Sequence, residues 1–183
     1  IPRAHFVGNS QGGQSSMVAA MKYSDRVNRF VMGGSHIGTG GDRYLLANRP
    51  SEGMRATREA LADPTRENIR RYLRVHLDDE ALVTDELVDY IHRAHTWSPE
   101  FDQARKQSVS LPHDYTSELA GIQAPVLLIH GRYDRMVPFE VSIAILNHVA
   151  DSRVVLLNDC GHWPPFEKPA EYSAHVLSFL KGY

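Results

Sequence analysis

A single cysteine, Cys160, stands among 183 residues, so no disulfide can form within the chain. That usage suits a reducing compartment, and the cytoplasm is the expected location. No apolar run approaches the roughly 18 to 20 residues that a bilayer span needs. No basic start followed by an apolar stretch marks a signal peptide. Neither sign of charge is in excess: 20 Lys and Arg face 22 Asp and Glu, for a formal charge of −2. That balance excludes a nucleic-acid-binding or polybasic membrane surface. Repeats and low-complexity tracts are absent, and so is an initial methionine, since the chain opens at Ile1. What is present is ordinary globular stock, 42% hydrophobic and 23% charged, in a length that fits one large domain.

Four short apolar runs each end in a turn-forming pair or a Gly-rich stretch: Ala4 to Gly8, Arg29 to Met32, Pro125 to Ile129 and Arg153 to Leu157. Runs that are continuous rather than alternating predict parallel strands covered on both faces. Ser15 to Met21 predicts a buried helix after the first run. A last helix is expected over Ala170 to Leu180, with Tyr172, Val176, Phe179 and Leu180 at helical spacing. Between the second and third runs the grammar changes. Asp63-Pro64, Thr84-Asp85-Glu86 and Ser98-Pro99-Glu100 each read as a helix start. Ile69, Leu73 and Leu77, then Leu87, Val88 and Ile91, recur at helical spacing. The expected architecture is an α/β sheet with a helical cap. Residues 1–37 carry the first strands and helix, 38–120 the cap, and 121–183 the remaining core.

Gly8-Asn9-Ser10-Gln11-Gly12 fits G-x-S-x-G at a strand-to-helix turn. Gly8 and Gly12 are expected to remove Cβ atoms that the tight turn could not hold. Ser10 would then sit at the tip, and the Gln11 N–H at the helix start would be an oxyanion donor. A plain Gly-rich turn or a phosphate-cradling loop is the alternative, but no Lys follows as in a Walker loop.

A serine nucleophile needs a base, and the base needs an orienting carboxylate. Asp134 follows the third strand, in Gly131-Arg132-Tyr133-Asp134-Arg135-Met136-Val137-Pro138, and His162 follows the fourth, in Cys160-Gly161-His162-Trp163. Serine, acid and base thus fall in the order Ser10, Asp134, His162, each at the carboxyl end of a strand. Asp159 is a rival acid, and Asp134 could be a mere turn former. A competent triad should gain activity with rising pH as His162 becomes neutral.

These stretches resemble the α/β-hydrolase superfamily, and within it the meta-cleavage-product hydrolases, which cut carbon–carbon bonds in aromatic catabolism. Gly13 after the elbow, Asn9, Trp163 and the stretch Thr84-Asp85-Glu86-Leu87-Val88 add to the resemblance. It implies hydrolysis of a 2-hydroxy-6-oxohexa-2,4-dienoate-type compound. The dienol would ketonise, and the ketone would be attacked by Ser10 or by water that Ser10 activates. Neither a metal nor an organic cofactor is implied. By position Asn9, Trp163 and Val137 would contact substrate. The family's cap arginine falls at Ile91 in the ungapped register, with Arg93 two residues on. Either Arg93 substitutes for it or the role is missing, and the second case favours a carboxylesterase or lactonase. A ligand-binding or signalling protein on the same scaffold is the rival from another class.

Other residues have plainer readings. His92 and His95 lack a third ligand at matching spacing, so a solvated face fits them better than a metal site. Cys160 is expected to pack rather than react. In the superfamily further strands precede the nucleophile strand and carry the second oxyanion donor. The chain is therefore expected to be the carboxyl-terminal two-thirds of such a fold. Its expected partners are a small-molecule substrate and that amino-terminal remainder, with a homo-oligomer left open.

Overall fold

The computed structural model describes residues 1–38, 51–107 and 113–182. Parts of the expected cap, residues 39–50 and 108–112, lie outside the described residues.

Four strands form one parallel sheet in the order of the chain: β1 (Ala4–Asn9), β2 (Val27–Gly33), β3 (Val126–Gly131) and β4 (Ser152–Leu157). The apolar runs locate all four, and each extends a residue or two beyond its run. In β3 every residue is buried, as a strand covered on both faces must be. Odd and even positions serve different cores. Phe30, Met32, Val126 and Leu128 meet helix α1 (Gln11–Lys22) through Met17 and Ala20, and α6 (Glu140–His148) through Val141 and Ile145. Val31, Leu127, Ile129 and Leu157 meet α8 (Pro169–Lys181) through Val176 and Phe179. Short α7 (Pro164–Glu167) leads into α8.

Between β2 and β3 stand α2 (Glu52–Ala62), α3 (Arg66–His76), α4 (Asp85–Thr96) and α5 (Pro99–Gln107). They carry a third apolar cluster around Ala60, Ile69, Leu73, Leu77, Val83 and Val88. Thr84 caps α4 by accepting from the Leu87 N–H, and Ser98 accepts from the Phe101 N–H. At α3 the cap is Thr65, which accepts from the Asn68 N–H, and not Asp63. Pro64 holds Asp63 outside the helix. All but the last residue of Thr116–Gly121 falls within the expected cap range, yet Leu119 packs into the sheet core with Met17 and Ile37. No helix among the described residues is long and apolar enough to cross a membrane.

Candidate active site

The first strand ends at Asn9 and α1 begins at Gln11, so Ser10 alone makes the turn. Its φ is 53° and its ψ −122°, a conformation costly for any residue with a side chain. Three hydrogen bonds hold it there. The Ser10 N–H donates to Gly33 O at 2.8 Å, and Ser10 O accepts from the Gln14 N–H at 3.0 Å and from Ser35 Oγ at 2.8 Å. Ser35 Oγ also lies 2.9 Å from Gly33 O, so one buried hydroxyl stands between the Ser10 turn and the end of β2.

Of the two glycines that the motif singles out, the structure requires one. A Cβ on Gly8 would meet Gly12 backbone at 2.5 Å, and one on Gly13 would meet Ser35 Oγ at 2.2 Å. At Gly12 an added Cβ meets nothing within 4 Å. The tight neighbours of Ser10 are therefore Gly8 and Gly13. Gln11 is the first residue of α1, so its N–H has no carbonyl within the helix.

Asp134 and His162 are brought together. His162 Nδ1 donates to Asp134 Oδ2 at 2.8 Å, the imidazole 2% exposed and the carboxylate fully buried. This bond fixes the ring proton on Nδ1 and leaves Nε2 with a free lone pair. Asp134 Oδ1 accepts from the Met136 and Val137 N–H groups at 2.7 and 2.9 Å. Burial alone would raise the Asp134 carboxyl. Hydrogen bonds from His130 and His162 outweigh that and hold it well below the usual carboxylate range. Gly34, at φ 55°, makes room for the pair: a Cβ there would stand 2.9 Å from His162 Cε1. Asp159, the rival acid, is an exposed turn residue at φ 47°.

The remaining expected residues lie around this pair and on α4. The Asn9 side-chain amide donates to His162 O at 3.0 Å, tying the Ser10 turn to the His162 loop. Val137 is fully buried in the sheet core and serves Asp134 through its backbone. Arg93 is exposed on α4 and makes no hydrogen bond or ion pair with Ser10, Asp134 or His162 among the described residues, whereas Ile91 packs against the cluster of the inserted helices. Trp163 is half-buried, its ring 5.9 Å from Tyr72 and 6.0 Å from His76, so it joins the base loop to α3. Cys160 is fully buried, and burial pushes its thiol up to about 12, which leaves no reactive thiolate.

Several supporting residues escape the motif reading. His130, the last but one residue of buried β3, contacts Asp134 Oδ2 at 3.1 Å. His76 lies on the apolar face of α3, seven residues after Ile69, and its carbonyl accepts from the His162 N–H at 2.7 Å. The two imidazole centroids are 5.3 Å apart, edge to face. Burial, then the neighbouring His162, push His76 down to about 4, so its ring is neutral. Glu167 accepts from the N–H groups of Gly161, Trp163 and Asp78. A polar residue interrupting an apolar pattern was the signal available for His130 and His76. Glu167 gave none, because its three partners come from two separate loops.

A strained serine at a strand-to-helix turn and a buried Asp–His pair at the ends of neighbouring strands define a class, and the family comparison agrees. Residues 1–169 match the family described as the alpha/beta hydrolase fold, and the chain belongs to it. The chain is 33% identical over 185 residues to a 2-hydroxy-6-oxononadienedioate/2-hydroxy-6-oxononatrienedioate hydrolase of Burkholderia vietnamiensis, a match covering 99% of this chain and 63% of that protein. It is 30% identical to a 2-hydroxy-6-oxo-6-phenylhexa-2,4-dienoate hydrolase of Comamonas testosteroni, over 99% of this chain and 64% of the relative. A solved variant of the meta-cleavage product hydrolase CumD from Pseudomonas fluorescens superposes with a TM-score of 0.81 at 27% identity, covering 99% of this chain and 65% of that one. The chain thus spans somewhat less than two thirds of the length of these relatives.

Proposed function

We propose that the chain carries the Ser10–His162–Asp134 machinery of a serine hydrolase that cleaves the carbon–carbon bond of a 2-hydroxy-6-oxohexa-2,4-dienoate-type compound. The observation that carries the reading is the buried Asp134–His162 hydrogen bond at the same sheet edge as the strained Ser10. With its proton fixed on Nδ1, His162 accepts the Ser10 hydroxyl proton at Nε2 as Oγ attacks the keto carbon. The Gln11 N–H and the positive end of α1 face the oxyanion that forms. Collapse of that adduct breaks the carbon–carbon bond, and the electron pair leaves on the dienol fragment, which takes the proton from His162. Water then attacks the acyl–Ser10 ester, giving up a proton to His162, and releases the carboxylic acid. The names of the relatives support this substrate class.

A second reading, a carboxylesterase or lactonase using the same three residues, is favoured by one observation. Arg93 is exposed, and apolar Ile91 occupies the register position where the cap arginine is expected. Loss of visible absorbance by a dienoate, compared with release of p-nitrophenol from short esters, separates the two. Dienoate turnover with kcat/KM well above that for the esters is expected. Fast ester turnover with no loss of dienoate overturns the first reading.

A further inference from the structure

The Asp134 carboxylate has more partners than orienting one imidazole requires. Both lone pairs of Oδ1 are met by the Met136 and Val137 N–H groups. Oδ2 is approached by two imidazoles, His162 Nδ1 at 2.8 Å and His130 Nε2 at 3.1 Å. The protonation of His130 follows from its other neighbours. Its Nε2 also lies 2.9 Å from Val137 O, which can only accept, so the proton sits on Nε2 and is shared between Val137 O and Asp134 Oδ2. Nδ1 is then a bare acceptor, and Ser142 Oγ, 2.8 Å away, donates to it. Ser142 and His130 are 3% and 0% exposed, so water replaces none of these bonds. A chain of hydrogen bonds runs from Ser142 through His130 and Asp134 to His162.

We propose that His130 is a positioning residue for the general base: by donating to the Asp134 oxygen that orients His162, it limits how strongly that carboxylate stabilises a charged His162. The proposal rests on the reading of Ser10, Asp134 and His162 as a triad. An anion satisfied by four donors is a weaker acceptor toward each of them. Removing the His130 donor concentrates charge on Oδ2, strengthens its pairing with a protonated His162, and makes the base harder to free of its proton. Ser142 acts in the same direction at one remove, because donation to Nδ1 strengthens Nε2–H as a donor. The other ionisable groups around the pair are His76 from α3, Arg135 from the acid turn, and Cys160 and Glu167 from the base loop and α7. All stay unchanged in the variants below.

The test is the pH dependence of Ser10 phosphonylation by a fluorophosphonate, in which Oγ bonds to phosphorus, fluoride leaves and His162 takes the hydroxyl proton. In His130→Phe the acidic limb should move up by about 0.5 to 1 pH unit. Below the limb, labelling should slow roughly three- to tenfold relative to wild type. Ser142→Ala, a smaller change, should move the limb the same way by about a few tenths of a unit. If His130→Phe does not fold, Ser142→Ala decides alone. A limb that stays in place or moves down, with labelling of the wild type intact, overturns the proposal while sparing the triad. A wild-type protein that takes no label overturns the triad itself, and the proposal with it.

Discussion

The conformation of Ser10 is strained, and it places the residue that the proposed chemistry needs at the tip of the turn. A residue with a side chain at φ 53° persists only where its surroundings over-determine it, and here Gly33 O, the Gln14 N–H and Ser35 Oγ do so. The glycines around it separate into two kinds. Gly13→Ala drives a Cβ into Ser35 Oγ and against Met32, and should cost about 2 kcal/mol or more together with most of the activity. Gly12→Ala points into open space on α1 and should leave stability unchanged or raise it by up to about 1 kcal/mol. Urea unfolding of the two variants checks this, and equal losses would contradict the account. The G-x-S-x-G pattern made the turn and Ser10 legible. It assigned the second steric demand to Gly12, because the motif records spacing and not the location of Ser35, 25 residues away in sequence.

At the scale of elements, the inserted helices are tied to the two loops that hold Asp134 and His162. The end of α3 offers the Arg74 and Leu77 carbonyls to the Arg135 guanidinium and the His76 carbonyl to the His162 N–H. The start of α2 donates the Gly53 N–H to Arg135 O and Ser51 Oγ to Met136 O. Glu167 closes the arrangement from α7 by receiving three backbone N–H groups. Glu167→Ala leaves those donors without their acceptor and should cost on the order of 2 kcal/mol, while Glu167→Gln, which keeps one oxygen, should cost about half as much. Denaturant midpoints measure both, and losses under about 0.5 kcal/mol for the alanine variant would remove Glu167 from the support. Helix existence here was legible from Ile69, Leu73, Leu77, Val88 and their spacing. The docking was not, because a backbone carbonyl such as His76 O carries no sequence signal. Arg93 illustrates the opposite limit: the family resemblance offered it as a substitute for the cap arginine, and it stands exposed on α4 while Ile91 packs inward.

For the whole molecule, the buried ionisable groups set distinct windows of acid sensitivity. His76 sits at about 4 in the folded chain, below the roughly 6.5 of an unperturbed histidine in the unfolded one. Between those values the unfolded chain binds the extra proton, so stability is full above about pH 6.5 and falls as pH drops toward 4, by on the order of 3 kcal/mol. Asp134, held below the usual carboxylate range, adds its own loss only at lower pH still, as pH falls below that of an ordinary carboxylate. His76→Phe keeps an aromatic ring against His162 and Trp163 but removes the titration, so its melting temperature should fall less steeply than wild type between pH 6.5 and 4. An unchanged slope would contradict the assignment. The sheet, its parallel sense and the placing of Asp134 and His162 in the loops after neighbouring strands were readable because buried strands and strand-end loops leave strong local patterns. The support behind Asp134 and His162 was not, since it comes from β3, α3 and α7 meeting only in three dimensions. The account turns on Ser10 being a nucleophile activated by His162. Treatment with a fluorophosphonate, proteolysis and mass spectrometry of the peptides should find one adduct, on Ser10 Oγ, that is lost in a folded His162→Ala variant. An adduct on another residue, or undiminished labelling of Ser10 without His162, would contradict it.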